Sequence, residues 1–477
     1  MASAAVKSFL RNTNMVMEGF DNAYKLKKEF MAPGVAERIA AWRREGRKVV
    51  SHAFRPRKNS QEPGLEDTYK YLSSRIGMTE LDGLAIDEFG NETADEVPAY
   101  TDAIRRLRTY TRLSGRKLYA YSCAAWGLHD QTMELRKELM QGGSGSAPEY
   151  YLREKRTEGE AKNYINFMFD YLRQWENKTP GSLPCILMIL CCTDGLPGYY
   201  GQDTMANANY KVFLDLQYFM LANAPEFNGL RGIAHWIVRY ARPETVAWLA
   251  MLNRHYCIDG NTDLLSKRLG MKYGLAHVKN PDFTSGTEHW RLEAAEKDSM
   301  VLTEVKDWGF GRGTCNAAPD GDAVLLMKRV PGKVNRLCQT LTGLVPGKWY
   351  ELQVRVADYD DITTGKRTRK LLPLKAEISG VSFDAELCSI DVYQSSHPMQ
   401  PHYPRYNDGP CANELALFFK ATAESSELVL SDDGPTPGVK AGNYVSAPFE
   451  TPKAEDVKSL MINFIQLQPV LDPENWN

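Results

Sequence analysis

A chain of 477 residues with 43% apolar and 10% aromatic side chains is too long for one ordinary domain and can bury a full core in two or three. With 58 basic against 60 acidic side chains it is nearly neutral, which argues against a nucleic-acid or membrane-surface partner, and no apolar run of about 18 residues is present to span a bilayer. The first dozen residues include Lys7 and Arg11 and lack a continuous apolar core, so they do not make a signal peptide.

In chain order, the first 260 residues repeat one pattern. Apolar strand candidates fall at 14–20, 48–54, 82–89, 117–123, 149–154, 185–192 and 229–236, spaced by a strand-helix unit of roughly 30–45 residues. Helical periodicity fills the gaps: Val35 to Trp42 ended by Gly46, a stretch with Ile104 and Leu107 on one face after Pro98, and one with Ile165, Phe169, Leu172 and Trp175 in step. Strands alternating with helices give a parallel sheet, and seven such units favour a closed (β/α)8 TIM-type barrel over an open sheet. The eighth strand either precedes Met1, or residues 257–275 supply an irregular stave. On the first reading the chain begins inside its first unit, and a secreted or periplasmic location is expected.

A parallel barrel carries its chemistry at the C-terminal ends of its strands. There the sequence offers Glu18; His52 with Arg55; Asp87 and Glu88; Tyr121 followed by Trp126; Glu154; Asp194; and His235, Trp236, Arg239 and Tyr240. Carboxylates, aromatic rings and imidazoles suit a sugar site, because ring faces stack on the C–H faces of pyranoses while acids bind hydroxyls. The run Leu81-Asp82-Gly83-Leu84-Ala85-Ile86-Asp87-Glu88-Phe89-Gly90 is the centre of this set, a short buried strand ending on two acids. Its plainer reading is a loop carboxylate capping the next helix. A divalent metal on His52, His235, Asp87 and Glu88 is the competing chemistry, but no His-x-His or His-x-x-x-His spacing occurs, and no metal or cofactor is expected. No phosphate-binding glycine motif occurs either. The Gly142 to Ser146 run reads as a flexible connector at the bottom of the barrel.

Near residue 262 the character changes to short alternating segments with turn residues between them, examples being 323–328, 349–357, 415–420, 427–431 and 459–467. These describe an all-β sandwich. The stretch 360–410 reads as a long hairpin or loop insertion. Nine cysteines form no Cys-x-x-Cys pair; Cys123, Cys191 and Cys192 read as buried thiols, and Cys315, Cys338, Cys388 and Cys411 could form up to two disulfides, with three pairings open.

Asn280-Pro281-Asp282-Phe283 followed by Trp290, the Gln339-Thr340-Leu341 strand, the Pro346-Gly347-Lys348-Trp349-Tyr350 turn and the closing Phe464-Ile465-Gln466-Leu467 together resemble the jelly-roll carbohydrate-binding-type modules that accompany glycoside hydrolases. The resemblance covers roughly 278–470 and implies a sandwich fold; sugar binding does not follow from it, because many such modules are structural. Asp87-Glu88 at the end of a fourth strand is similar to the Asn-Glu pair of retaining glycoside hydrolases, whose Glu is the general acid/base. Asp82-Gly83 with Asp87 resembles the Asp-Gly-x-x-x-Asp strand of chitinase-like barrels, although Phe89 stands where their catalytic Glu would be. The seventh-strand nucleophilic Glu of the retaining clan has no match, since that strand ends on Thr193-Asp194.

The expectation is therefore a barrel over 1–260, a connector over 261–277 and a jelly-roll β-sandwich over 278–477. The expected function is hydrolysis of a poly- or oligosaccharide. Glu88 is the expected general acid, its pKa raised by Asp87 and partial burial, with Glu154 as second carboxylate and Glu18 or Asp194 as substitutes. Trp126 and Trp236 would be sugar platforms, and His52, Arg55, His235 and Tyr240 hydroxyl or carboxylate binders. A non-catalytic carbohydrate-binding or surface scaffold protein on a degenerate barrel is the alternative from another class.

Overall fold

The computed structural model describes residues 2–19, 35–53, 64–77, 81–89, 95–109, 113, 115–123, 125–194, 202–236, 238, 241–306, 308, 321–366, 368–394, 411–441 and 457–476. Helix α1 (Ala2–Arg11) leads into β1 (Met15–Gly19), and the chain then alternates through α2 (Val35–Arg44), β2 (Lys48–Ala53), α3 (Leu65–Ile76), β3 (Gly83–Phe89), α4 (Val97–Thr109), β4 (Lys117–Cys123), α5 (Asp130–Gln141), β5 (Gly145–Tyr150), α6 (Glu158–Lys178), β6 (Leu187–Cys191), α7 (Tyr210–Asn223), β7 (Gly232–Trp236) and α8 (Pro243–Leu252). The seven strands form one parallel sheet in sequential order, as a strand-helix repeat requires. Among the described residues β7 and β1 are not paired, yet α1 packs on α8, so the helical layer is continuous between the first and last strands.

Strand alternation divides the side chains into two populations. Val50, Ala85, Tyr119, Tyr121, Ala147, Leu187 and Ile189 cluster on the inner face, with Tyr151, Ala234 and Trp236 against them. The residues of the opposite phase, such as Val49, Leu84, Ile86, Leu118, Met188 and Leu190, join the helices in two outer cores. Helix α6 starts on a complete capping box, Thr157 with Glu160, an arrangement that stabilises by about 1 kcal/mol.

The fifth strand runs over Gly145–Tyr150 and not 149–154, so the end of the supposed Gly/Ser connector is the strand itself. A side chain at 145 would place its Cβ 1.8 Å from the Cys185 carbonyl oxygen, so the close approach of β5 to the start of β6 demands glycine where propensity suggests a linker. No strand forms in 257–275: that stretch holds a wide helical turn over Asn253–Ile258 and a short helix over Leu265–Arg268. The eight described cysteines, Cys338, Cys388 and Cys411 among them, are free thiols, and Cys315 lies outside the described residues.

Downstream, β8 (Arg291–Glu293), β9 (Met300–Glu304), β10 (Ala323–Lys328), β11 (Arg336–Thr342), β12 (Trp349–Asp358), β13 (Lys375–Ile378), β14 (Ser389–Gln394), β15 (Cys411–Lys420), β16 (Ser425–Ser431), β17 (Lys440–Ala441) and β18 (Ser459–Pro469) build two sheets. One has the order β17-β14-β15-β12-β18-β10-β9, the other β13-β16-β11-β8; only β14–β17 is parallel. The described part of the 360–410 stretch is thus no hairpin insertion, since β13 pairs with β16 in one sheet and β14 with β15 in the other, while 395–410 lies outside the described residues.

The large sheet has a polar face that is nevertheless dry. On β12, Tyr350, Leu352, Val354 and Val356 enter the sandwich core, while Glu351, Gln353 and Arg355 on the opposite face are also buried. They meet the parallel-sheet half: Arg242 pairs with Glu351 at 2.8 Å and with Glu414, Lys211 Nζ donates to Gln468 Oε1 at 2.9 Å, and Glu244 Oε1 accepts from Leu471 N at 3.0 Å. Buried ions must be paired to be tolerated, and each of these is.

Candidate functional site

The inner phase of the parallel sheet brings His52, Asp87, Tyr121, Glu149, Tyr151 and Trp236 to the C-terminal ends of β2, β3, β4, β5 and β7. His52 Nε2 lies 3.0 Å from Asp87 Oδ2, with side-chain exposures of 22% and 18%, so the pair is open to solvent. The His52 ring meets Tyr121 edge-on at 5.6 Å between centroids. Burial raises the Tyr121 pKa far above its usual value, with Glu149 and then Asp87 adding to it, so the phenol stays protonated. Tyr151 is held protonated in the same way, by burial and then by Glu149, to which its hydroxyl donates. Its ring stacks on Trp236 at 4.5 Å.

The β3 end carries an irregularity that matters for the two acids. Ile86 pairs with Ala120 and Phe89 with Ser122, so Asp87 and Glu88 together stand opposite the single residue Tyr121. Two residues against one is a bulge, a device that re-aims side chains at the rims of barrels. At the other end of this strand Asp82 Oδ2 accepts from Val49 N at 2.9 Å and Arg43 and Lys48 flank it, so the first acid of the Asp-Gly-x-x-x-Asp run braces the sheet. Gly83 admits the Lys117 carbonyl, 2.3 Å from where a Cβ would stand.

The remaining expected residues divide. Glu88 and Glu18 belong to β3 and β1, Glu18 in register with Ser51, but their side chains lie outside the described residues, as does that of Trp126 at the start of a single turn. Arg55, Arg239 and Tyr240 lie outside them altogether. Glu154 is fully buried beyond β5, and its Oε1 accepts from Thr204 N and Met205 N, both at 2.5 Å. Burial raises its pKa and that of the neighbouring Asp203. Asp194 is also buried; it accepts from Arg242 N, the residue that precedes helix α8, at 2.9 Å and from the hydroxyl of Thr245 in the first turn of that helix. His235 takes the outer phase of β7, 2.6 Å from the Tyr218 hydroxyl that donates to Asn253 Oδ1 at 2.7 Å, with Phe9 edge-on. Burial lowers its pKa to about 4, so it is neutral. Trp236, the next residue, takes the inner phase.

Sequence reasoning passes over Glu149 and Tyr151 as candidates because it places the fifth strand four residues late. The signal was present in the alternation Gly145, Ala147, Glu149, whose small inner residues end on an acid. Among the described residues no group of three or more His, Cys, Asp or Glu side chains is arranged to hold a metal ion, and no helix is long and apolar enough to cross a membrane.

No family model matches this chain, and no curated protein does. Among solved structures it is similar to the enzymatically active domain of bacteriophage CBA120 tailspike protein 4 at 12% identity and a TM-score of 0.23, covering 60% of this chain and 30% of that one. A chitinase from Chromobacterium violaceum ATCC 12472 matches at 12% identity and a TM-score of 0.35, over 53% of this chain and 94% of that one. The family 51 α-L-arabinofuranosidase AbfB from Bifidobacterium longum matches at 8% identity and a TM-score of 0.33, over 90% of this chain and 89% of that one. Likenesses this remote say nothing by themselves about what this chain acts on.

Proposed function

We propose that the chain is a glycoside hydrolase acting on a poly- or oligosaccharide at the C-terminal face of its parallel sheet. The supporting observation is the bulged end of β3, which sets Asp87 and Glu88 against Tyr121 while His52 orients Asp87. In this reading Glu88 delivers a proton to the leaving glycosidic oxygen. Glu149, two strands away and fixed by the Tyr151 hydroxyl, takes over from Glu154 the part of second carboxylate, acting on the anomeric carbon directly or through a water. Trp236, stacked on Tyr151 at the end of β7, keeps the part of sugar platform. The sheet is read as most of a (β/α)8 barrel over 1–260, and 278–477 as a jelly-roll sandwich. Incubation with a panel of polysaccharides, read as new reducing ends, tests it: release from at least one polymer is expected, and none from any polymer contradicts it.

The second reading, a non-catalytic sugar-binding scaffold, draws on the commitment of Glu154 and Asp194 to internal hydrogen bonds. Retention on a polysaccharide without release of reducing ends would favour it.

A further inference from the structure

The polar face of the large antiparallel sheet grips one loop of the other half. Gln466 on β18 donates through Nε2 to Asp203 Oδ1 at 3.0 Å and reaches the main-chain oxygens of Met205 at 3.2 Å and Ala208 at 3.3 Å. Arg355 on β12 donates to the Asp203 carbonyl at 2.7 Å, while its Nε pairs with Glu414 at 2.6 Å and its guanidinium lies 3.9 Å over the Phe464 ring. The loop so held is the entrance to α7.

That loop in turn holds the exit of β5. Its Thr204 and Met205 amides are the two donors to Glu154, and the adjacent Lys155 is clasped by Tyr273, whose hydroxyl accepts from Lys155 N at 2.9 Å and donates to Lys155 O at 2.7 Å. Five residues upstream of Glu154 stands Glu149, and three upstream stands Tyr151. A continuous set of hydrogen bonds therefore runs from the sandwich through loop 203–208 and Glu154 to the segment carrying two residues of the site.

We propose that Arg355 and Gln466 are positioning residues: the sandwich braces the open face of the parallel sheet by fixing loop 203–208, Glu154 and hence Tyr151 and Glu149. Two further observations fit a brace better than a separate sugar-binding module. The face of the large sheet that carries these residues is buried, and the four strands of the small sheet contain no aromatic residue to stack on a sugar. Only the consequence for turnover rests on the proposed glycosidase activity; the bracing stands or falls without a substrate.

Amide hydrogen exchange of the full chain tests it, comparing Gln466→Ala with the unaltered protein. Peptides over 202–209 and over 150–156 should both exchange about tenfold faster or more, while β11 and β16 keep their protection. Arg355→Lys, which keeps the buried charge beside Glu414 but cannot span to the Asp203 carbonyl as well, should give the same pattern. Faster exchange confined to 202–209, no change in either segment, or loss of protection throughout the chain in both variants would overturn the proposal. If a sugar polymer is cleaved, both variants should lower kcat by about tenfold at folded concentrations matched to the unaltered protein. An inactive unaltered protein would remove the glycosidase reading and leave the exchange result intact.

Discussion

His52 and Asp87 face each other across neighbouring strands, 3.0 Å from Nε2 to Oδ2, and this contact fixes the direction of the first acid at the open face. Hydrogen bonds involving a charged partner are worth about 1.5–3 kcal/mol, and losing one that orients a reacting group costs about ten- to hundredfold in rate. His52→Ala should therefore lower kcat by that factor on any polymer the protein cleaves, with little change in melting temperature. Equal turnover in the two proteins would take the pair out of the mechanism.

Stability should fall as pH rises, because of carboxyls buried between the two halves. Burial pushes Asp391 from 3.8 up to about 7, with Glu414 and Glu351 adding to the shift and Arg242 opposing it. Burial raises Glu244 and Glu351 in the same direction. A group that binds its proton more tightly when folded contributes fully below its unfolded pKa. That contribution fades between about pH 4 and pH 7 and is gone above. For Asp391 the difference is about 3 units, or about 4 kcal/mol at most. Urea midpoints should drop from pH 5 to pH 8, and Asp391→Asn should flatten part of that slope; an unchanged slope in the variant would assign the pH dependence elsewhere.

Gly145→Ala should destabilise severely, by about 3 kcal/mol or more, since backbone must move to relieve a 1.8 Å approach to Cys185 O. Gly159→Ala, with open space at its Cβ position inside α6, should be neutral or slightly stabilising. Paired thermal melts compare the two.

The alternation of strands and helices was legible because each β-strand from Lys48–Ala53 to Gly232–Trp236, except the fifth, carries branched or aromatic residues bounded by turn formers. The fifth hides among Gly, Ser and Ala, chosen for close packing and not for strand propensity, and Glu149 was lost with it. The alternation in β12 and β18 identifies the sandwich strands but not what covers their polar face; nothing local distinguishes Arg355 or Gln466, buried under a loop of the other half, from the same residues in water. In sequence Glu154 and Asp194 read as acids at strand ends, yet each accepts from the backbone of another segment. A carboxylate that receives amides and one that receives a substrate look alike in sequence.

The most direct measurement is reducing-end release by Glu88→Gln beside the unaltered protein, on a polymer that the latter cleaves. The amide keeps the shape of the side chain but cannot deliver a proton to the leaving oxygen, a step that contributes about 10²–10⁴-fold. The expected result is loss of cleavage with sugar binding largely retained, and a smaller loss on an aryl glycoside whose leaving group departs unprotonated. Undiminished cleavage by a folded Glu88→Gln protein would contradict the assignment of the general acid to the bulged end of β3.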